Sequence, residues 1–189
     1  DLHLALGALL FEVGENDRAD EQLARAEELG EQSCLPDFAH RLWTTRARMG
    51  ITTGAFDDAL AALETAEAAH LRTPMPPVRP LPALRARAQI ARGQLDEARR
   101  WADGAGLSAD EPPAYLREFE LLTWIRLTLA EHRRDRRSRA LPGALELLER
   151  MLASAEAGGR GGSAVDILVT RALVLEADGQ SAAARTALE

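Results

Sequence analysis

The sequence predicts an all-α fold, a solenoid of about five helical hairpins. Three observations predict it. A glycine followed five residues later by an alanine recurs at Gly14/Ala19, Gly54/Ala59, Gly93/Ala98 and Gly179/Ala184. Together with Ala144, which opens Ala144-Leu145-Glu146-Leu147-Leu148 without its glycine, the alanines fall at 19, 59, 98, 144 and 184, in steps of 40, 39, 46 and 40. A helix–turn–helix unit at a fixed period of this size marks stacked repeats, in which each hairpin has more apolar face than it can bury alone. Apolar residues also recur at helical spacing through most of the chain, and no stretch alternates apolar and polar residues over several β-branched positions as a strand does.

The stretch Gly93-Gln94-Leu95-Asp96-Glu97-Ala98 shows the local grammar. Gly93 closes one helix in the left-handed conformation that glycine tolerates. Asp96 and Glu97 place negative charge in the first turn of the next, where the helix dipole favours it. Ala98 allows two helices to approach closely.

Taken in order, Leu2 to Val13 is the first helix, with Leu2, Leu6, Leu9, Leu10 and Val13 as its apolar face. Asp17 to about Gln32 is its partner and turns Ala19, Leu23, Ala26 and Leu29 inward. Asp37 to Thr53 is the third helix, carrying Phe38, Leu42, Trp43, Ala47 and Ile51, and Ala55 to about Leu71 is the fourth. Five prolines between Thr73 and Pro82 exclude a helix interior and make a stiff connection. The fifth helix starts around Pro82, since the first turn tolerates proline. The sixth runs from Leu95 to about Ala102 and ends at Gly104 and Gly106. About Ala114 to Glu131 forms the longest helix, followed by a hydrophilic loop at residues 133–139 that accounts for the long step. Helix eight spans about Gly143 to Ala157, the glycines from 158 to 162 break it, Ser163 to Ala177 is the ninth, and Ser181 opens the tenth.

Composition narrows the function. Of 189 residues, 46% are hydrophobic but only 4% aromatic, so Leu and Ala must fill the core. A net charge of −7 argues against a general nucleic-acid surface. All 23 basic residues are arginine. Cys34 stands alone, which excludes an intrachain disulfide and favours a reducing compartment. No apolar run approaches the ~18–20 residues that span a bilayer. With no initiator methionine and a last helix begun in mid-pattern, the chain reads as one repeat domain, 1–189, cut from a longer protein.

Chemistry finds little footing. A phosphate-binding P-loop needs a lysine and a preceding strand, and neither is expected here; the glycine run at 158–162 reads as a helix break. His3, His40, His70 and His132 lie far apart, without a metal-binding pair at i, i+4. No catalytic residue, cofactor or metal is expected. The arginine-rich segment Arg133–Arg139 reads as a solvated loop.

The spacing of large and small residues before each glycine resembles the tetratricopeptide (TPR) repeat. Trp43 and Ala47 precede Gly54, while Gly7, Ala86 and Ala172 each stand seven residues before their glycines. The period exceeds the ~34 residues usual for that repeat. Tyr115-Leu116-Arg117-Glu118-Phe119-Glu120, Leu147-Leu148-Glu149-Arg150-Met151-Leu152 and Ala155-Glu156-Ala157-Gly158-Gly159-Arg160 look like the central domain of large ATP-dependent, MalT-like regulators of the LuxR type. Val165-Asp166-Ile167-Leu168-Val169 continues the likeness. The resemblance implies a right-handed TPR-like α-solenoid that binds an inducer and promotes self-association. It also implies an upstream domain that binds ATP and a downstream helix-turn-helix that binds DNA. In the maltose regulators the inducer is a small maltooligosaccharide. The proline-rich connection and the arginine-rich loop depart from the usual compact joins, so inducer identity does not carry over.

Registering the hairpins on their glycines places Arg48, Arg87 and Arg126 at equivalent positions 39 and 39 residues apart, with His132 standing where the fourth glycine would be. In TPR-like arrays this position of the first helix faces the concave groove. Arg41 and Thr44 share that side of the third helix, and Asp166 and Glu176 add carboxylates on the ninth. Two roles are open to the arginine ladder. It can pair with carboxylates of neighbouring helices, or it can meet a ligand's carbonyl, hydroxyl or carboxylate groups through its fixed guanidinium donors. Trp43 and Trp124 are expected in the core, and Tyr115 at a helix start is open to exposure. The expected role is effector sensing and oligomerisation in a cytoplasmic transcriptional regulator, without direct DNA or membrane contact. The alternative is a plain scaffold whose groove holds a peptide or helix.

Overall fold

The computed structural model describes residues 1–30, 35–69, 76–135 and 140–188. Within them the chain is all-α and TPR-like, with no strand. It divides into two compact units, Asp1–Met75 and Pro76–Glu189. The first holds α1 (Leu2–Glu12), α2 (Asn16–Leu29), α3 (Phe38–Thr53) and α4 (Phe56–Ala68). The second holds α5 (Leu81–Arg92), α6 (Leu95–Gly104), a 3-10 turn at Tyr115–Arg117, α7 (Glu118–Arg134), α8 (Leu141–Ala157), α9 (Gly161–Ala177) and α10 (Ser181–Thr186). Consecutive helices pair as five antiparallel hairpins.

The recurring glycine turn has one geometry. Gly14, Gly54, Gly93 and Gly179 have φ of 83°, 86°, 86° and 82°. The next residues, Glu15, Ala55, Gln94 and Gln180, start the following helix with ψ of 64°, 62°, 63° and 53°. Three of these residues donate a backbone hydrogen bond across the turn: Glu15 to Leu10 (2.9 Å), Gln94 to Gln89 (2.8 Å) and Gln180 to Leu175 (2.9 Å). That bond satisfies a carbonyl the helix end would leave unpaired. The alanine that follows is buried in every hairpin: Ala19, Ala98 and Ala144 are 0% exposed. Opposite it stands another small residue. A Cβ added to Gly7 would lie 2.9 Å from Leu23 Cδ2 and 3.2 Å from the Ala19 carbonyl. Small side chains at both sides of the crossing therefore set how closely the two helices pack.

Each unit has its own core. Leu4, Leu10, Leu23, Phe38, Leu42 and Met49 cluster in the first. In the second, Leu121, Ile125, Leu127, Leu147, Leu148 and Ile167 form the centre of a larger cluster that also takes in Trp124. Full burial of such side chains stabilises by roughly 1.5–3 kcal/mol each. α7 packs on α5 and on α9, so the first helices of the three hairpins form one layer, with their partner helices behind.

Several sequence expectations need correction. On α1 the buried residues are Leu4, Gly7 and Leu10, whereas Leu2, Leu6, Leu9 and Val13 are exposed. The helix is apolar on all sides, so its spacing could not choose a face. Leu29 is also exposed, because it lies on the last turn of α2 beyond the crossing with α1. α7 is no longer than α8 or α9, at 17 residues each, because a 3-10 turn replaces its expected start. Arg133 and Arg134 belong to the last turn of α7, where basic residues complement the helix dipole. Helix α9 begins at Gly161, inside the glycine run. Cys34, His70, residues 71–75 of the proline-rich connection and residues 136–139 of the arginine-rich segment lie outside the described residues.

Candidate functional site

In the first unit, the facing sides of α1 and α3 enclose a hollow of about 230 Å³ lined by Leu4, Ala5, Ala8, His40, Arg41, Thr44 and Thr45. It contains two of the expected groove residues, but both are engaged within the fold. Arg41 pairs with Asp1 and, at 3.2 Å, with Asp37. The Thr44 hydroxyl donates to the His40 carbonyl at 2.7 Å, as the Thr45 hydroxyl does to the Arg41 carbonyl at 2.9 Å. Their remaining capacity is as acceptors. His40 Nδ1 lies 2.9 Å from the Ala66 carbonyl, which makes that nitrogen the donor. Arg48 pairs with Glu12 and sits 5.1 Å over the Phe11 ring, tying α3 to α1. A second hollow, about 300 Å³, opens beside α2 and α3 near Arg46, which pairs with Asp20 (3.2 Å) and Glu27 (2.8 Å). The sequence reading did not single out Arg46.

In the second unit three expected residues come together from three helices. Arg87 of α5 lies 3.9 Å over the Phe119 ring of α7, and its Nε donates to the Thr123 hydroxyl at 2.9 Å. Thr123 is wholly buried and donates in turn to the Phe119 carbonyl at 2.7 Å. Phe119, Thr123 and Arg126 share one face of α7 at i, i+4 and i+7. Arg79 reaches the same Phe119 ring, 6.0 Å from its centre. Arg126 is part-buried, and its Nε is buried without a hydrogen-bond partner among the described residues.

The electrostatics follow from this packing. Burial, with the nearby Arg126 charge, pushes the Arg87 guanidinium down to about 9; Asp166 of α9 opposes the shift and Arg79 adds to it. Burial lowers Arg126 too, and Asp166 again opposes. At neutral pH both remain cations, held against a desolvation cost. Elsewhere in this unit Arg99, Arg117, Arg134, Arg160 and Arg171 each reach a carboxylate. Among the described residues neither Arg87 nor Arg126 makes an ion pair. Glu176 is exposed near the end of α9, two turns and more beyond Asp166, and does not join the cluster. Val165, Val169 and Leu173, 60%, 40% and 39% exposed, form an apolar stripe alongside Asp166. Trp124 belongs to the core, Trp43 is part-buried with Arg46 6.0 Å from its ring, and Tyr115 is 47% exposed. Phe119 and Thr123 escaped the sequence reading; their spacing from Arg126 was the available signal.

No group of three or more His, Cys, Asp or Glu side chains able to hold a metal ion occurs among the described residues. No helix among them is long and apolar enough to cross a membrane.

Helical hairpins joined by left-handed glycine turns, with small residues at each crossing and charged side chains across the first-helix layer, define a TPR-like repeat protein. The family model described as the MalT-like TPR region matches residues 1–189, and the chain belongs to that family. Neither a curated protein nor a solved structure matches it. Membership marks the chain as a sensing or interaction region of a regulator.

Proposed function

We propose that this chain is the effector-sensing and self-association domain of a cytoplasmic transcriptional regulator of the MalT-like kind. It works by binding, without catalysing a reaction. The observation that carries this reading is the pair Arg87 and Arg126: two part-buried cations on the layer of first helices that form no ion pair among the described residues. Arg99, by contrast, is paired with Glu131. A ligand seated on the first-helix layer favours one arrangement of the stacked hairpins, and it shifts that equilibrium only by its difference in affinity between the two. ATP and DNA contacts fall to other domains of such a regulator.

The test is calorimetric titration with oligosaccharides and small charged metabolites, comparing wild type with Arg87→Ala, alongside light scattering to follow assembly. The reading expects a ligand whose affinity drops in the variant and whose binding changes particle size. A ligand that binds equally to both proteins without altering assembly would sink it.

The exposed stripe of Val165, Val169 and Leu173 at i, i+4 and i+8 favours a second reading, a scaffold that holds an apolar peptide or helix. Val169→Asp, which leaves the arginine pair intact, would then abolish partner capture.

A further inference from the structure

We infer that the inner face of α5, α7 and α9 carries a binding site for a small, hydroxylated dianion, built from Arg87 and Arg126 with Asp166 at its edge. The inference deepens the sensing role proposed above and rests on it for its biological meaning. The shared chemistry is a doubly charged oxyanion, supplied by a phosphate monoester or by a dicarboxylate.

The geometry restricts the ligand. Arg87 lies over the Phe119 ring at 3.9 Å, and its Nε–H donates to the Thr123 hydroxyl at 2.9 Å. Only its two terminal nitrogens remain, and they form a fork in a fixed plane. Such a fork matches two oxygens of a carboxylate or phosphate. Arg126 lies one turn beyond Thr123 on the same face of α7, close enough to repel Arg87, and forms no ion pair among the described residues, so its terminal nitrogens offer a second set of donors. Two adjacent cations, opposed by an exposed carboxylate at Asp166 that pairs with neither, favour a ligand of charge −2 over a monoanion.

Asp166 sets the other limit. It is exposed on α9 and acts on both arginines, yet forms no ion pair with either among the described residues. An ionised carboxylate is acceptor-only. It therefore rejects additional anionic groups on the ligand and accepts a hydrogen bond from a hydroxyl. A polyphosphate or a nucleic-acid backbone would bring repeated negative charge against it, and the chain's net charge of −7 adds to that repulsion. A compact ligand of charge −2 that also carries a hydroxyl group satisfies all three side chains.

The experiment uses the whole chain at low ionic strength. Inorganic phosphate, a hexose monophosphate, malate, a neutral hexose and a singly phosphorylated peptide are titrated by calorimetry into wild type, Arg126→Gln and Asp166→Asn. Circular dichroism checks that each variant keeps its helix content. Asp166 is exposed, so its variant keeps the test open if Arg126→Gln fails to fold. Expected is a hexose phosphate or malate affinity that exceeds that of the neutral hexose and falls ~10-fold or more in Arg126→Gln, as loss of a charge-assisted fork implies. Asp166→Asn should tighten inorganic phosphate several-fold while narrowing the advantage of the hydroxylated ligand over it. Whichever of the hexose phosphate and malate binds tighter names the source of the oxyanion.

Equal binding of the dianions to wild type and both variants would overturn the site, as would no dianion binding at all. A phosphopeptide preferred more than ~10-fold over the hexose phosphate would replace the small ligand with a protein partner and overturn it too. The two proposals fail separately. Dianion binding that leaves particle size unchanged keeps this site and removes the sensing role. Assembly driven by a neutral sugar, with no dianion bound, keeps the sensing role and removes this site.

Discussion

Arg87 and Arg99 occupy the same unit and show two uses of a guanidinium. Arg99 holds Glu131 through two hydrogen bonds, one of them 3.0 Å from Nε, and that carboxylate is only 21% exposed. Arg99→Met leaves Glu131 half-buried without its donors and should lower stability by about 1–2 kcal/mol in urea melts. Arg87→Met should be neutral or stabilising in the same melts, since it removes a desolvated cation while Thr123 keeps its bond to the Phe119 carbonyl. The pH dependence has a definite sign. Burial, with the nearby Arg126 charge, holds the folded value near 9, well below arginine's ordinary value, so the unfolded chain binds the proton more tightly in between. The cost of the charge is full below about 9 and is relieved as pH rises, so the wild type should gain on the Met variant in alkaline melts. The register that brings Arg87 and Arg126 together was legible from the glycine spacing. What separates them from Arg48 was not. Glu12 lies opposite Arg48 because α1 packs on α3, and no repeat spacing announces that carboxylate.

At the scale of the element, glycine has two distinct jobs. Gly93 has φ of 86° and open space where a Cβ would go. Gly93→Ala should cost about 1–2 kcal/mol from backbone strain alone. Gly7 sits inside α1, where alanine has the better helix propensity by about 1 kcal/mol. Yet its added Cβ would press on Leu23 and on the Ala19 carbonyl, so Gly7→Ala should destabilise as well. Thermal melts of both variants check this, and a stabilised Gly7→Ala would show that the α1–α2 crossing can open. The turn glycines were readable in sequence because a left-handed residue leaves a local mark. The face that α1 buries was not, because its choice of Leu4 and Leu10 over Leu6 and Leu9 depends on which side α2 and α3 approach.

For the whole molecule, repeat proteins are stabilised by nearest-neighbour packing, and each unit here has its own core cluster. Leu147 is fully buried, and Leu147→Ala should cost about 2–5 kcal/mol. Hydrogen exchange should locate the largest loss of protection in α8 and in α7 and α9, which pack directly on it, with a smaller loss in α5 and α6 at the edge of the same cluster. Uniform loss along the chain would mean that cooperativity extends across all five hairpins. The division into hairpins was visible in the sequence period, whereas the grouping of hairpins into units comes from packing that no single repeat encodes.

Thr123 gives the arginine pair a mechanical meaning. Its hydroxyl accepts from a guanidinium carried by one hairpin and donates to the backbone of the next, so two bonds of 2.9 and 2.7 Å link the side chain of α5 to the main chain of α7. Any force that draws Arg87 outward is thus felt as torque on the joint between those helices. Thr123→Val would cut that linkage while keeping the bulk that fills the joint, so the two hairpins would be joined there by apolar packing without the arginine.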